Sequence, residues 1–357
     1  MSTVPSTPDT SLDYPGRQEV LEFFARKASE VDRGDCDIRP GLRLLGELGL
    51  LDLGAPDNAD DRLATMLLVV EDVAAGCLSS GFALWAQRMV IEYLSRSSDR
   101  PAAARELPAL AGGTVIGATA MAPAMRHVAG LEPVPVIATR TAGGVRLDGP
   151  IRWASNLFEE ALVVVPARFG DGSGVVVQLR TGDPGVTVHS APELLALGST
   201  ASSSISLDGV EIAADAVLSE DLTGFVRSFR PTFLLVQSAF CSGLAGVSRE
   251  QSRKRLTGLN AEFGPDLADV DGRHESVRRR LFEHARDPQR ASDRALLQLR
   301  LDAARVAGDA TRLEAAISGG AGYVAGSATS RRLREAAFLP VQAPTEGQLR
   351  WELSRSA

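Results

Sequence analysis

The chain has 357 residues, 44% of them hydrophobic and 23% charged, with a formal net charge of −7. That length predicts two or three domains rather than one small core, and the balance is that of an ordinary folded protein. The acidic excess excludes the basic face that a nucleic-acid partner requires.

The first 15 residues are rich in Ser, Thr, Pro and Asp and lack an apolar core region, so they read as a disordered leader and not a signal peptide. From 16 to 112 the apolar spacing is helical. Val20, Phe23 and Phe24 open one stripe. Leu42, Leu45 and Leu48 form a second that stops at Gly49, and Leu50 to Pro56 reads as a turn. Further helices are expected over Ala64 to Gly76, from Ser80 to about Leu94, and after Pro101. At Gly112-Gly113 the texture changes. Short β-branched runs follow, bounded by Gly, Pro and Asp: Val115 to Met121, Val134 to Ala142, Val145 to Leu147, Ala161 to Ala167, Gly174 to Leu179, Val186 to Val188 and Ser202 to Ile212. They predict a compact β-domain over 113–223. Helical spacing returns over 224–357, with long helices near Pro231 to Leu256 and Ala291 to Ser318, shorter ones after Ala325 and Thr345, and a polar, Arg-rich stretch between Gly258 and Gln289.

Helices, then strands, then helices imply segregated layers and not alternating βαβ units. Neither a Rossmann glycine pattern nor a P-loop is present. The three cysteines, Cys36, Cys77 and Cys241, lie far apart with no CxxC pair. No metal site or disulfide framework is expected, and a reducing cytoplasm is the expected compartment. No apolar run reaches the ~20 residues of a membrane span.

Trp153-Ala154-Ser155-Asn156 is the segment that most directly carries chemistry. Trp153 and Ser155 stand two apart on a strand, so their side chains share a face. An indole gives apolar contact to a flat ring, and a hydroxyl gives that ring's polar edge a hydrogen bond. The alternative is a core tryptophan at a strand end followed by a Ser-Asn turn.

Five local patterns resemble the acyl-CoA dehydrogenase superfamily: Leu45 to Leu51; Gly149 to Asn156; Leu197 to Ser203 with Leu207 to Ile212; Gly319-Gly320-Ala321-Gly322-Tyr323; and Arg331 to Ala336 followed by Pro344-Thr345. The resemblance implies an α+β fold with an N-terminal helical domain, a middle β-barrel and a C-terminal helical bundle. It implies FAD, with FMN as an alternative, held by Trp153, Ser155, Asn156, Met121, His127, Gly319, Gly320 and Thr345. It also implies oxidation of an acyl thioester at Cα–Cβ, an electron acceptor or flavin reductase as partner, and a homo-oligomer.

The chain departs from that pattern at the base. Where the family carries a glutamate, the aligned residue is Ala343, and the other position used in the family falls on Phe233. Glu346 is the nearest carboxylate and His127 lies in the flavin-facing loop, so these two are the candidate catalytic residues. Glu346 also reads as a helix-start charge. The family's loop before the flavin becomes Met121 to Val128, and its phosphate-binding arginine aligns near Asn260. Arg126 and His127 are the groups that could meet a phosphate instead. The Arg273 to Arg286 stretch reads as a solvated helix face or as a contact for a CoA phosphate. Two alternatives therefore stand beside dehydrogenation: a monooxygenase of the same fold using reduced flavin and O2, and a flavinless, non-catalytic member.

Overall fold

The computed structural model describes residues 12–56, 62–97 and 99–356, so most of the expected leader lies outside the described residues. The first layer is helical: α1 (Arg17–Arg33), α2 (Arg39–Glu47), α3 (Leu63–Gly76), α4 (Leu78–Ser95) and α5 (Pro101–Ala111). On α1, Val20, Phe24, Ala28 and Val31 recur every three to four residues and are all buried. Gly34 ends it in the left-handed region, its N–H capping the carbonyls of Glu30 and Val31. Every residue of α4 is buried, so this helix is packed on all sides.

The expected middle β-barrel appears as one eight-stranded sheet. Its strands are β1 (Gly117–Thr119), β2 (Ile137–Thr141), β3 (Gly144–Ala154), β4 (Leu162–Arg168), β5 (Gly174–Arg180), β6 (Val186–Val188), β7 (Ser203–Ala213) and β8 (Val217–Ser219). They pair in the order β6-β7-β3-β2-β4-β5-β8, with β1 parallel on β4. β4 and β5 are near-continuous apolar runs buried on both faces. A short helix, α6 (Ala122–Val128), interrupts the strands. Pro123 suits its first turn, and Met121 and Met125 bury on one side of it. A strand was expected to run through Met121, and the Ala-Pro pair ends it instead.

The C-terminal layer holds α7 (Leu222–Arg253), α8 (Gly264–Ala285), α9 (Asp293–Gly322), α10 (Ala328–Ala336) and α11 (Glu346–Leu353). α7 begins at Leu222 because the Asp221 carboxylate accepts the Gly224 N–H at 2.8 Å; Pro231, expected near the start, sits inside the helix. By length and composition α7 could cross a membrane, contrary to the sequence expectation, yet 89% of its apolar window is buried inside the protein. It is the axle of the bundle. Gly243 lets it approach α3 closely, since a Cβ there would collide with the Glu71 carbonyl. The Arg-rich stretch is α8. Several of its arginines are ion-paired: Arg273 to Asp309, Arg278 to Glu71 and Arg280 to Asp302. These pairs fit the expected solvated face of mixed charge.

Two buried clusters join the layers. Ser242 on α7 donates to Glu71 on α3 at 2.6 Å and lies 3.0 Å from His274 Nε2 on α8. Burial, reinforced by Arg249, pushes His274 down to about 4, so the ring is neutral at pH 7. On α10, Glu335 is buried, and its nearest cation, Arg331 Nη1, is 3.6 Å away. Burial pushes this carboxyl up to about 7, overriding Arg331. A raised carboxyl pKa favours the folded state at low pH and costs stability as pH rises from the ordinary value of 4.5 through about 7. Glu335→Gln should therefore stabilise the protein by about 2–3 kcal/mol at pH 8 and by nothing at pH 4. Urea unfolding at the two pH values checks this; equal effects at both would show that the carboxyl titrates normally.

Candidate functional site

The Trp153 segment closes β3, and local pairing decides where it points. Against β7, Ile151 pairs with Ile205 and Ala154 with Ser203, so three steps on β3 match two on β7. The bulge turns both Arg152 and Trp153 outward. Trp153 is 55% exposed although it is a large apolar side chain. Ala154 is buried and Ser155, just past the strand end, is half-buried.

Behind Ser155 lies a run of hydroxyls. Thr200 Oγ1 and Ser202 Oγ are 2.8 Å apart, and Ser202 donates to Ser155 Oγ at 3.0 Å. A serine hydroxyl has one proton and two lone pairs. Thr200 at the inner end donates to Leu197 O at 2.7 Å, and Ser155 Oγ is the outer end of the run. Sequence reading quoted Thr200 and Ser202 only as part of a pattern, because their link to Ser155 spans 47 residues.

Asn156 does something different from what was expected. It is fully buried with φ 65°, and its Nδ2 donates to Ala83 O at 3.0 Å and Gly117 O at 3.1 Å. Its Nδ2 braces α4 against β1, while its Oδ1 is buried without a partner among the described residues. Met121 is likewise fully buried. Thr345 caps α11 by accepting the Gln348 N–H at 3.2 Å. His127 sits half-buried in the last turn of α6. Gly319 breaks α9 with φ 58° and ψ −145°. The space around Gly319 and Gly320 is open, and nearby Tyr323 is exposed.

The residues fit a flavin ring but not its phosphates. Trp153 offers an uncovered π-face and Ser155 a hydroxyl at the outer end of its hydrogen-bonded run. At the phosphate end, Arg126 is ion-paired to Glu132, and Asn260 spends its amide on Arg255 O and Ile317 O at 3.1 and 3.0 Å. The backbone of the loop that would cradle the ring is closed into α6, with Met125 N–H bonded to Met121 O at 3.2 Å.

The base positions carry no acid. Ala343 only accepts, through its carbonyl, from Gln237 Nε2 at 2.9 Å. Phe233 packs edge-on to Trp85 at 5.0 Å, within a cluster that includes Phe82, Phe240 and Phe338. These rings fill the space between α4, α7 and the connection after α10. Glu346 starts α11 and binds Arg350 at 2.8 Å and Arg305 at 3.1 Å. Burial works to raise its pKa, but the two arginines outweigh it and hold the carboxyl below the usual range. A carboxylate so neutralised is a poor base. Among the described residues no His, Cys, Asp and Glu group could hold a metal. Two surface grooves of about 360 and 330 Å³ run along α8 and α9, lined by residues such as Arg273, Asp309, Arg280 and Asp302. None of the residues expected to hold the flavin or to act as base lines either groove.

No family model matches the chain. It is 24% identical over 254 residues to benzylmalonyl-CoA dehydrogenase of Aromatoleum aromaticum, covering 69% of this chain and 67% of that one. A glutaryl-coenzyme A dehydrogenase in complex with glutaryl-CoA superposes with a TM-score of 0.86 at 16% identity, over 99% of this chain and 96% of the other. KijD3 in complex with FMN and an amino-keto sugar nucleotide superposes at 0.80 and 19% identity, over 98% and 94%. The chain thus has the acyl-CoA dehydrogenase fold.

Proposed function

We propose that this protein is a flavin-dependent oxidoreductase that takes the isoalloxazine ring on the wall formed by Trp153 and Ser155. The observation that carries it is the bulge on β3, which holds Trp153 open to solvent beside the half-buried Ser155 hydroxyl. When bound, the flavin supplies the redox chemistry. The chain's own part is to cover one face of the ring and donate a proton-bearing hydroxyl to its edge.

Ala343 and Phe233 favour a reaction that needs no α-proton abstraction at those positions. Reduced flavin and O2 acting on an organic substrate, with a separate reductase supplying the flavin, meets that condition. The poor phosphate end supports loose flavin exchange, and the KijD3–FMN relative shows that the fold accommodates FMN. Cα–Cβ oxidation of an acyl thioester is the second reading, and the benzylmalonyl-CoA dehydrogenase relative favours it. In that case the base comes from the substrate, from solvent or from another residue.

Titration of the purified protein with FAD, FMN and their reduced forms tests the first claim. Trp153→Ala should weaken ring binding about 30-fold, roughly 2 kcal/mol of lost apolar contact, and Ser155→Ala about 5-fold. If no flavin binds in either redox state, the reading fails and a flavinless binding member remains. Mixing with acyl-CoA then separates the two reactions. Bleaching of oxidised flavin by a thioester selects dehydrogenation; substrate-dependent oxygen uptake with a reductase selects oxygenation.

A further inference from the structure

Arg300, on α9, lies at the junction with α7 and the connection between α10 and α11, and the flavin reading gives it no role. It is 0% exposed. Its Nε donates to Gln237 Oε1 at 3.1 Å, and its Nη2 donates to Leu339 O at 3.2 Å and Gln342 Oε1 at 2.9 Å. Its Nη1 is buried without an acceptor. All three acceptors are neutral, and no carboxylate among the described residues pairs with this guanidinium. Gln342, 5% exposed, engages its Oε1 with Arg300 and leaves its own Nε2 buried and unpartnered. Two unspent donors, one of them cationic, thus sit on one small cluster. The Phe240 ring lies 6.0 Å from the Arg300 Cζ, and Phe240 belongs to the same aromatic group as Trp85, whose Nε1 is a third buried donor without a partner.

An arginine does not shed its proton in a protein, so burial cannot neutralise it as it would a lysine. A buried charge is retained when it is paired. A ring at 6.0 Å compensates in part only. The remaining compensation has to be an acceptor of negative charge, and a planar guanidinium beside an amide N–H matches a carboxylate or a small inorganic anion.

We propose that Arg300 and Gln342 bind an anion, a carboxylate group or a small inorganic anion, beneath the connection that carries Ala343. Gln237 couples this site to the connection, because it accepts from Arg300 and donates to Ala343 O. The proposal does not depend on flavin binding and is tested without flavin.

The full-length protein, dialysed into a bulky sulfonate buffer, is melted in the presence of sodium formate, acetate, benzoate or chloride at constant ionic strength. A saturable rise in Tm of roughly 3 °C or more is expected with the anion that fits. Response to the carboxylates alone identifies an organic acid; response to chloride identifies an inorganic ion. Gln342→Glu supplies the counter-charge from within, so its Tm should exceed that of the wild type in probe-free buffer and no longer respond to the probe. Arg300→Leu should abolish the response, and if that variant fails to fold, the wild type and Gln342→Glu suffice. A wild-type Tm that ignores all four probes, or follows ionic strength alone, overturns the proposal.

Discussion

Phe233→Ala lowers unfolding free energy by about 4 kcal/mol, the range for removing a fully packed aromatic ring. The ring is buried on α7 and contacts Trp85 at 5.0 Å and Phe229 at 5.9 Å. The loss combines the transfer energy of the ring with a cavity that α4 and α7 cannot close, because both helices are packed on their other sides. Phe233→Leu should cost about 1.5 kcal/mol. Denaturant unfolding of both variants checks the pair, and a Phe233→Ala loss under about 2 kcal/mol would mean the rings are loosely packed and the slot between α4 and α7 is open.

Asn156→Ala is expected to cost about 3 kcal/mol. Two buried hydrogen bonds to Ala83 O and Gly117 O disappear, at about 1 kcal/mol each, and alanine is strained at φ 65° by about 1 kcal/mol more. Asn156→Gly relieves the backbone part and should cost about 2 kcal/mol. Asn156→Asp should be the worst of the three, since a carboxylate would face two carbonyl oxygens. If Asn156→Ala instead leaves stability unchanged and weakens flavin binding, then Asn156 is a ligand contact and the brace is wrong.

These two residues show how far sequence reading reached. The tryptophan segment was visible as a pattern, but not the bulge against β7 that exposes Trp153. The adjacent asparagine was assigned to the same flavin wall. It turns inward because its partners, Ala83 and Gly117, lie 73 and 39 residues away, and no local spacing encodes them. Thr345 shows the converse. Its role as the α11 cap is legible from a threonine ahead of a helix start. The filled slot had a signal too: Phe225, Phe229 and Phe233 recur every fourth residue along α7, a stripe that faces α4 and not solvent.

The sequence by itself determined the order of helical, strand and helical layers, because the period of apolar residues reports which face each element buries. It also determined that Ala343 and Phe233 cannot take a proton, since that is a property of the side chain alone. The tertiary structure decided what the polar residues do. A bulge against β7 made Trp153 outward, distant hydroxyls oriented Ser155, Arg305 and Arg350 quenched Glu346, and the closing of α7 on α9 buried Arg300 among neutral acceptors. Hydrophobic burial follows a local rhythm along the chain. Hydrogen-bond and charge partners come from elsewhere in the fold, and only the folded chain brings them within reach.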